Sequence, residues 1–358
     1  MNIGIITFIN TINYGASLQA FALQHFIQNL GENAEIIQYV NDKIEKKEHN
    51  TGAFSLRKLL VKIVVRNGFE RKAEAFKKFE KDHFNYGKVF SAEEFELINS
   101  YYDCFITGSD QVWNFKITHR DWNYFLDFVN DNGKKLSYAP SFGNVDFPEE
   151  CYDDLKMHLG QFRALSVREQ AGKKFIKNVC GLDAELVIDP TLILDKNEWQ
   201  KYTTFVPAIK HYILVYFPHD KKKVFNFVKE LKKKTGLPVV YLSISPKPCM
   251  GVRTIYDASP EEFLGWIRNA DYVVTGSFHG TAFSLNFEKQ FFYETIGNGS
   301  RIENLVTLTQ TTDRNIENGV NINKNIDYSR VSKILEKERM RSAEWLRNSI
   351  LGDNDEEN

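Results

Sequence analysis

Thr275-Gly276-Ser277-Phe278-His279-Gly280-Thr281 joins an apolar run, DYVVTGS, to a helical pattern that continues through Leu285. Glycines at such a junction let the main chain approach a ligand, and free amides at a helix start favour an anion. One exposed helix end gives an anion about 0.3–1 kcal/mol, and roughly 2 kcal/mol when partly buried. A phosphate site therefore wants cationic side chains as well. His279 can donate to a phosphate oxygen or move a proton, because an imidazole titrates near neutrality. The alternative is that it caps the helix or packs in a domain interface.

Gly108-Ser109-Asp110-Gln111-Val112-Trp113-Asn114 follows a matching run, DCFITGS, in the first half of the chain. A carboxylate and two amides can satisfy sugar hydroxyls, an indole face can lie against a pyranose, and Asp110 can serve as a base. The competing reading is a capped turn with a core tryptophan. Asn10, Asn13, Tyr14 and Gly15 fall at the same predicted strand edge and could take part in binding. Arg168, Arg301 and Arg314 are candidate partners for an anion, or else members of surface ion pairs. Asp189-Pro190-Thr191 ends another strand pattern and could shape the floor of a site.

The elements that must position these groups follow from periodicity. IGIITF (3–8) reads as a strand covered on both faces. Ala20, Leu23, Ile27 and Leu30 repeat at helical spacing up to Gly31, and AEIIQYV (34–40) is the next strand. A βαβ opening predicts a parallel sheet. Strand patterns recur at 103–109, 135–141, 162–168 and 184–190, a connector fills 190–210, and a second α/β unit begins with YILVYF at 212–217. Ser259, Pro260 and Glu262 predict a capped helix start. Ligands of open α/β sheets bind at the carboxyl ends of the strands. The glycine–serine loops of the two halves are therefore expected to face each other across a cleft.

These boundaries predict an N-terminal α/β domain over 1–195 and a C-terminal α/β domain over 205–325. A final helix over 326–350 and an acidic, disordered tail over 352–358 complete the chain. The first domain would carry a basic helical insertion around 50–85. Within it, residues 55–81 hold nine Lys or Arg against three Glu and read as one or two helices broken near Gly68. Such a segment can be a solvated insertion or can touch an anionic membrane surface.

At 358 residues the chain is long enough for two domains and needs no disulfide or metal to fold. Forty-six Lys and Arg against 47 Asp and Glu leave a formal charge of -1, which argues against nucleic-acid binding. Cys104, Cys151, Cys180 and Cys249 lie far apart, without a CxxC pair, so a reducing compartment and no thiolate metal cluster are expected. No secretory leader or membrane span is read, and the expected location is cytoplasmic, with peripheral contact at the inner membrane face through 55–81. There is no GxGxxG helix start, P-loop, HExxH or GxSxG elbow.

Taken together, six stretches in order make the chain resemble the polysaccharide pyruvyl transferase family. They are GIITFINTINYGASLQAFALQ (4–24), YDCFITGSDQVWN (102–114), SYAPSFG (137–143), SVREQAG (166–172), DPTLIL (189–194) and ADYVVTGSFHGTAFSLNFEKQFF (270–292), and the likeness spans about 3–315. The resemblance implies two Rossmann-like lobes similar to the GT-B glycosyltransferases. It also implies transfer of pyruvate from phosphoenolpyruvate to two hydroxyls of a sugar or lipid-linked saccharide, with a pyruvyl ketal as product. It puts His279 at the donor. Some members carry arginine two positions before that histidine, where this chain has Ser277; the donor is then short of a cation unless Arg168, Arg301 or Arg314 supplies it. Gln290 stands where many relatives have proline. The resulting assignment makes His279 the acid and Asp110 the base. Arg168, Ser277, Gly280, Arg301 and Arg314 go to the donor, Asn13, Tyr14, Ser109, Gln111 and Trp113 to the acceptor, and no metal or cofactor is expected. The alternatives are a GT-B glycosyltransferase using a nucleotide sugar and a non-catalytic scaffold subunit of envelope polysaccharide assembly.

Overall fold

The apolar run after Met1 forms β1 (Asn2–Ile6), whose Ile3, Ile5 and Ile6 are fully buried. The structure, a computed structural model, describes residues 1–39, 41, 57–89, 97–217, 222–243, 252–295 and 300–352. Strands β2 (Asn33–Ile36), β3 (Cys104–Thr107) and β4 (Lys135–Ser137) join β1 in a parallel sheet of order β2-β1-β3-β4. Ile3 stands beside Ala34 on one side and Cys104 on the other. A parallel pair β5 (Ser166–Val167) and β6 (Glu185–Leu186) lies beyond β4, which reaches it through a single bridge from Leu136 to Ala164. The helix Tyr14–Asn29 starts on the Asn13 side chain, and every residue from Tyr14 to Gln24 is buried. This helix has no solvent face in its first half, which explains its mostly apolar and small-residue sequence, and its buried Gln19 and Gln24 are hydrogen-bonded within the fold.

Strands β4 and β5 are shorter than the runs at 135–141 and 162–168 predict. Ala139 adopts a left-handed φ of 58°, which an extended strand cannot include, and Pro140 pairs with Asp110 only as an isolated bridge. The connector expected at 190–210 contains two short helices, Pro190–Ile193 and Lys196–Lys201, each started by an aspartate that accepts main-chain N–H bonds.

The second sheet is also parallel, in the order β11-β10-β7-β8-β9. Its members are β7 (Ile213–Tyr216), β8 (Val239–Leu242), β9 (Arg253–Ile255), β10 (Tyr272–Thr275) and β11 (Gln290–Tyr293). The expected capping box opens the helix Pro260–Arg268, with Glu262 N donating to Ser259 Oγ at 3.1 Å and Ser259 N to Glu262 Oε2 at 3.0 Å. Val215, Val274 and Phe292 from the sheet pack with Val224, Val228 and Leu231 of the helix Lys222–Thr235.

Two α/β units result. The first takes in the described residues of Met1–Asn50, Asp82–Leu194 and Glu336–Asn358, the second those of Thr51–Lys81 and Asp195–Leu335. Most of the basic segment thus groups with the second unit, although the sequence suggests an insertion in the first. It is one helix, Arg57–His83, without the expected break. A Cβ on Gly68 would lie 2.3 Å from Tyr256 Cε2, so the glycine makes room for an aromatic ring. Lys72 and Glu80 are buried, and the segment is not a uniformly solvated face. The helix Tyr328–Leu351 serves the first unit from Glu336 onward, with Ser342 Oγ accepting from Ile188 N at 3.1 Å. Cys249 and the acidic tail from 353 lie outside the described residues. Cys104, Cys151 and Cys180 are free and buried. Among the described residues no helix is long and apolar enough to cross a membrane.

The aromatic core of the first unit packs against a buried imidazole. His158 is buried and stacks on Trp122 with centroids 4.4 Å apart. Desolvation lowers its pKa from the ordinary 6.5, and Lys135 acts in the same direction against the opposing Asp127 and Asp154. The unfolded chain therefore takes up this proton first, and the stability contribution is complete above pH 6.5 and is lost as pH falls toward the folded-state value. Denaturant unfolding of the wild type is expected to show falling stability below that pH, with a shallower decline in His158→Phe; identical slopes would contradict the assignment.

Candidate functional site

At the carboxyl ends of β3, β4 and β5 the first unit buries a charged cluster around Arg168. Its Nη1 lies 2.7 Å from Asp189 Oδ2 and 3.2 Å from Ser109 Oγ, and its Nη2 lies 3.3 Å from Asp110 Oδ1. Glu169 Oε1 is 3.5 Å from Nε. Burial acts to lower the guanidinium pKa, but Asp189, Glu169 and Asp110 together outweigh it, so the net direction is upward. Asp189 Oδ1 takes the Thr191 N–H at 3.0 Å and its hydroxyl at 2.7 Å. Ser109 Oγ sits 2.9 Å from Ala139 O and 2.8 Å from Asp189 Oδ2, with one proton to give to either. Arg168 and Ser109 are thus internal braces, not groups held open for a ligand.

Other expected acceptor groups divide in the same way. Trp113 is 0% exposed, donates from Nε1 to Tyr124 O at 2.9 Å and stacks on Phe125 at 5.0 Å. It offers no face to a sugar and is a core residue. Tyr14 is likewise buried as the first residue of its helix. Asn13 is exposed, with Oδ1 accepting from Gly15 N at 2.9 Å as the helix cap. Gln111 is half-buried and its Oε1 accepts from Asn114 Nδ2 at 3.0 Å. Gly143, at φ 72°, packs under that pair; a Cβ there would meet both amides at 2.5–2.6 Å. Asp110 has a left-handed φ of 73°, and its Oδ1 also accepts from Gln111 N at 2.9 Å. Its Oδ2 has no hydrogen-bond partner among the described residues, so one carboxylate oxygen is still available to a ligand.

In the second unit Ser277 caps the helix Phe278–Asn286 directly after β10. Ser277 N donates to Thr275 Oγ1 at 3.1 Å, and Gly280 N donates to Ser277 Oγ at 3.3 Å. Both amides expected to cradle the donor are therefore engaged within the loop. Thr275 Oγ1 donates in turn to Tyr216 O at 2.8 Å. Burial raises the Tyr216 phenol pKa, opposed by its hydrogen bond with Ser277. A Cβ on Gly280 would fall 2.3 Å from Thr275 Oγ1, so this glycine answers to strand packing. His279 occupies the second helical position, 7% exposed, with its ring edge-on to Phe278 at 5.1 Å.

Arg301 is half-buried on the first turn of the helix Ser300–Leu308. Arg314 is 2% exposed beside β11. Sequence reasoning missed Glu294, a buried carboxylate whose N–H donates to Thr275 O at 3.1 Å at the end of β10. The signal was available, since a charge directly after the apolar run FFY ends a buried strand at its carboxyl edge. Among the described residues, no group of three His, Cys, Asp or Glu could hold a metal ion.

Residues 13–297 match the family described as polysaccharide pyruvyl transferase, a span that contains both glycine–serine loops. The chain belongs to the polysaccharide pyruvyl transferase family. The match takes in most of both parallel-sheet units, so the family resemblance and the α/β architecture run over the same stretch of chain. No curated protein is significantly similar in sequence. Among solved structures, the UDP-GlcNAc 2-epimerase of Methanocaldococcus jannaschii is 14% identical with a TM-score of 0.47, covering 98% of this chain and 99% of its own. A putative UDP-N-acetylglucosamine 2-epimerase from Listeria monocytogenes is 9% identical with a TM-score of 0.48, covering 96% and 90%. The E. coli heptosyltransferase WaaC is 11% identical with a TM-score of 0.38, covering 85% and 96%.

Two substitutions test these braces. Arg168→Met leaves three carboxylates without their buried counter-ion and is expected to cost about 3–5 kcal/mol of unfolding free energy. Gly280→Ala forces Thr275 away from Tyr216 and is expected to cost about 1–3 kcal/mol. Urea unfolding measures both; losses below about 0.5 kcal/mol would show that the cluster and the loop carry no strain or charge of consequence.

Proposed function

We propose that the chain transfers pyruvate from phosphoenolpyruvate to two hydroxyls of a saccharide in a polysaccharide precursor, forming a cyclic ketal and releasing phosphate. The observation that carries this reading is the family match through the loop in which an imidazole sits at a helix start directly after a central strand. Protonation at C3 of phosphoenolpyruvate makes C2 an oxocarbenium-like centre. One sugar hydroxyl adds there and loses its proton. Phosphate then departs with its C2–O bond, and the neighbouring hydroxyl closes the ring, losing a second proton. Holding donor and diol in register supplies much of the acceleration, and fixed charge steadies the leaving phosphate.

His279 is the proposed acid. Asp110 is the proposed base, acting through Oδ2 because Oδ1 is tied to Arg168 and Gln111. Arg301 and Arg314 remain the cations for the donor, since Arg168 is already neutralised by carboxylates. Ser277 shapes the loop through its cap. Asn13 and Gln111 are the polar groups left for the acceptor. A cytoplasmic setting suits phosphoenolpyruvate. Exposed Lys77 and Lys81 of the helix Arg57–His83 suit contact with the anionic inner face of a membrane that carries the acceptor lipid.

A nucleotide-sugar transferase is the second reading. It is favoured by the loop at 275–281, which contains no Lys or Arg and spends the Ser277 and Gly280 amides internally. Phosphate release from phosphoenolpyruvate in the presence of saccharide acceptors separates the two. We expect turnover that His279→Ala lowers by about 100-fold or more, the usual scale for a lost general acid. Turnover of uridine diphosphate sugars with phosphoenolpyruvate inert would establish the second reading instead.

A further inference from the structure

Arg314 ends the turn Thr312–Arg314, and the next residue, Asn315, pairs with Tyr293 through a single parallel bridge. That bridge fixes the turn at the carboxyl end of β11. The side chain is 2% exposed, and its guanidinium carbon lies 5.7 Å from the centre of the Phe292 ring. An aromatic face attracts a cation but accepts none of the five N–H bonds that the planar guanidinium has to give. Nε has no hydrogen-bond partner among the described residues. The main-chain N–H, in contrast, is satisfied by Thr311 O at 3.1 Å.

The nearest carboxylate does not make up the deficit. Asp313 Oδ1 is 3.7 Å from Nε, outside hydrogen-bond range, while its Oδ2 takes Lys324 Nζ at 2.7 Å. Desolvation pulls the Arg314 pKa below its ordinary value, and Asp313 and Tyr328 oppose that shift without cancelling it. The Tyr328 hydroxyl is itself committed to the main-chain oxygens of Lys289 and Ser284. A buried charge in this condition is expensive unless a hydrogen-bonded counter-ion completes it. Arg168 in the first unit shows the contrast, with Nη1 bonded to Asp189 Oδ2 at 2.7 Å and Nη2 to Asp110 Oδ1 at 3.3 Å.

We propose that Arg314 is the anchor of an oxyanion-binding site at the β11 edge of the second unit, occupied by the carboxylate or phosphoryl group of a small ligand. Both groups present two oxygens in one plane, the arrangement a guanidinium fork binds in bidentate fashion. Phe292 forms the apolar floor, and Lys324, held by Asp313, keeps a second positive charge nearby. This deepens the donor role given to Arg314 above and rests on that reading only for the identity of the ligand; the geometry around the guanidinium is independent of pyruvyl transfer. If phosphoenolpyruvate is the donor, either of its anionic ends fits the site.

Calorimetric titration of the full chain with inorganic phosphate, pyruvate and phosphoenolpyruvate tests the proposal. At least one probe is expected to bind the wild type, and Arg314→Gln to weaken it by roughly tenfold to a hundredfold, with partial recovery in Arg314→Lys. His279→Ala distinguishes this site from the donor assignment: binding lost in Arg314→Gln but kept in His279→Ala leaves the oxyanion site standing while the role of His279 fails. Wild-type affinity for every probe in a folded Arg314→Gln variant overturns the proposal. Should that variant not fold, crystals of the unaltered protein soaked in phosphate give the answer. An ion bonded to the Arg314 guanidinium supports the site, and solvent alone there overturns it.

Discussion

A guanidinium sealed among Asp110, Glu169 and Asp189 sets the terms for the first α/β unit. The three carboxylates come from three different strand ends, and each charge alone would be costly to bury. Together they draw the chain after β3, the β5 exit and the Asp189 cap onto one point. Ser109 and Thr191 complete the bonds that the carboxylates leave open. Glu169 in turn takes the Ser141 hydroxyl, so the segment after β4 is included. The loops at this sheet edge are therefore held from beneath by charge, which lets exposed groups above them vary without loosening the frame.

The second unit solves the same problem with neutral groups. Thr275, Ser277 and Tyr216 form a chain of hydroxyl and main-chain bonds under the first turn of the helix that carries His279. Gly280 is the cost of that close approach. One consequence is a division of labour within a single motif: its serine and glycine serve the fold, and its histidine is the residue to which the proposed function assigns a proton.

Much of the frame was legible because buried parallel strands are written as unbroken apolar runs, and because caps such as Asn13, Ser259 and Asp189 announce helix starts in local sequence. What could not be read was which partner a side chain meets across the fold. Asp110 meets Arg168 from 58 residues away, and nothing near either residue shows that the arginine is spoken for. Trp113 has the composition of a sugar platform around it, yet Tyr124 and Phe125 claim its nitrogen and its face. Gly68 looks like a helix break to a local rule, but it is a seat for the ring of Tyr256. In each case tertiary contact overrode a correct local signal.

The first unit is not contiguous along the chain, since it needs residues from Glu336 onward to cover Ile188 and Tyr138. Leu346 and Ile350, both fully buried, are among the last described residues. On a ribosome, which releases the chain from its amino end, the N-terminal part of this unit must wait with an apolar flank open until the residues from Glu336 onward have emerged. Nascent chains that stall before that helix would expose this flank to chaperones or to one another, and the order of synthesis becomes a constraint on how safely the protein is made.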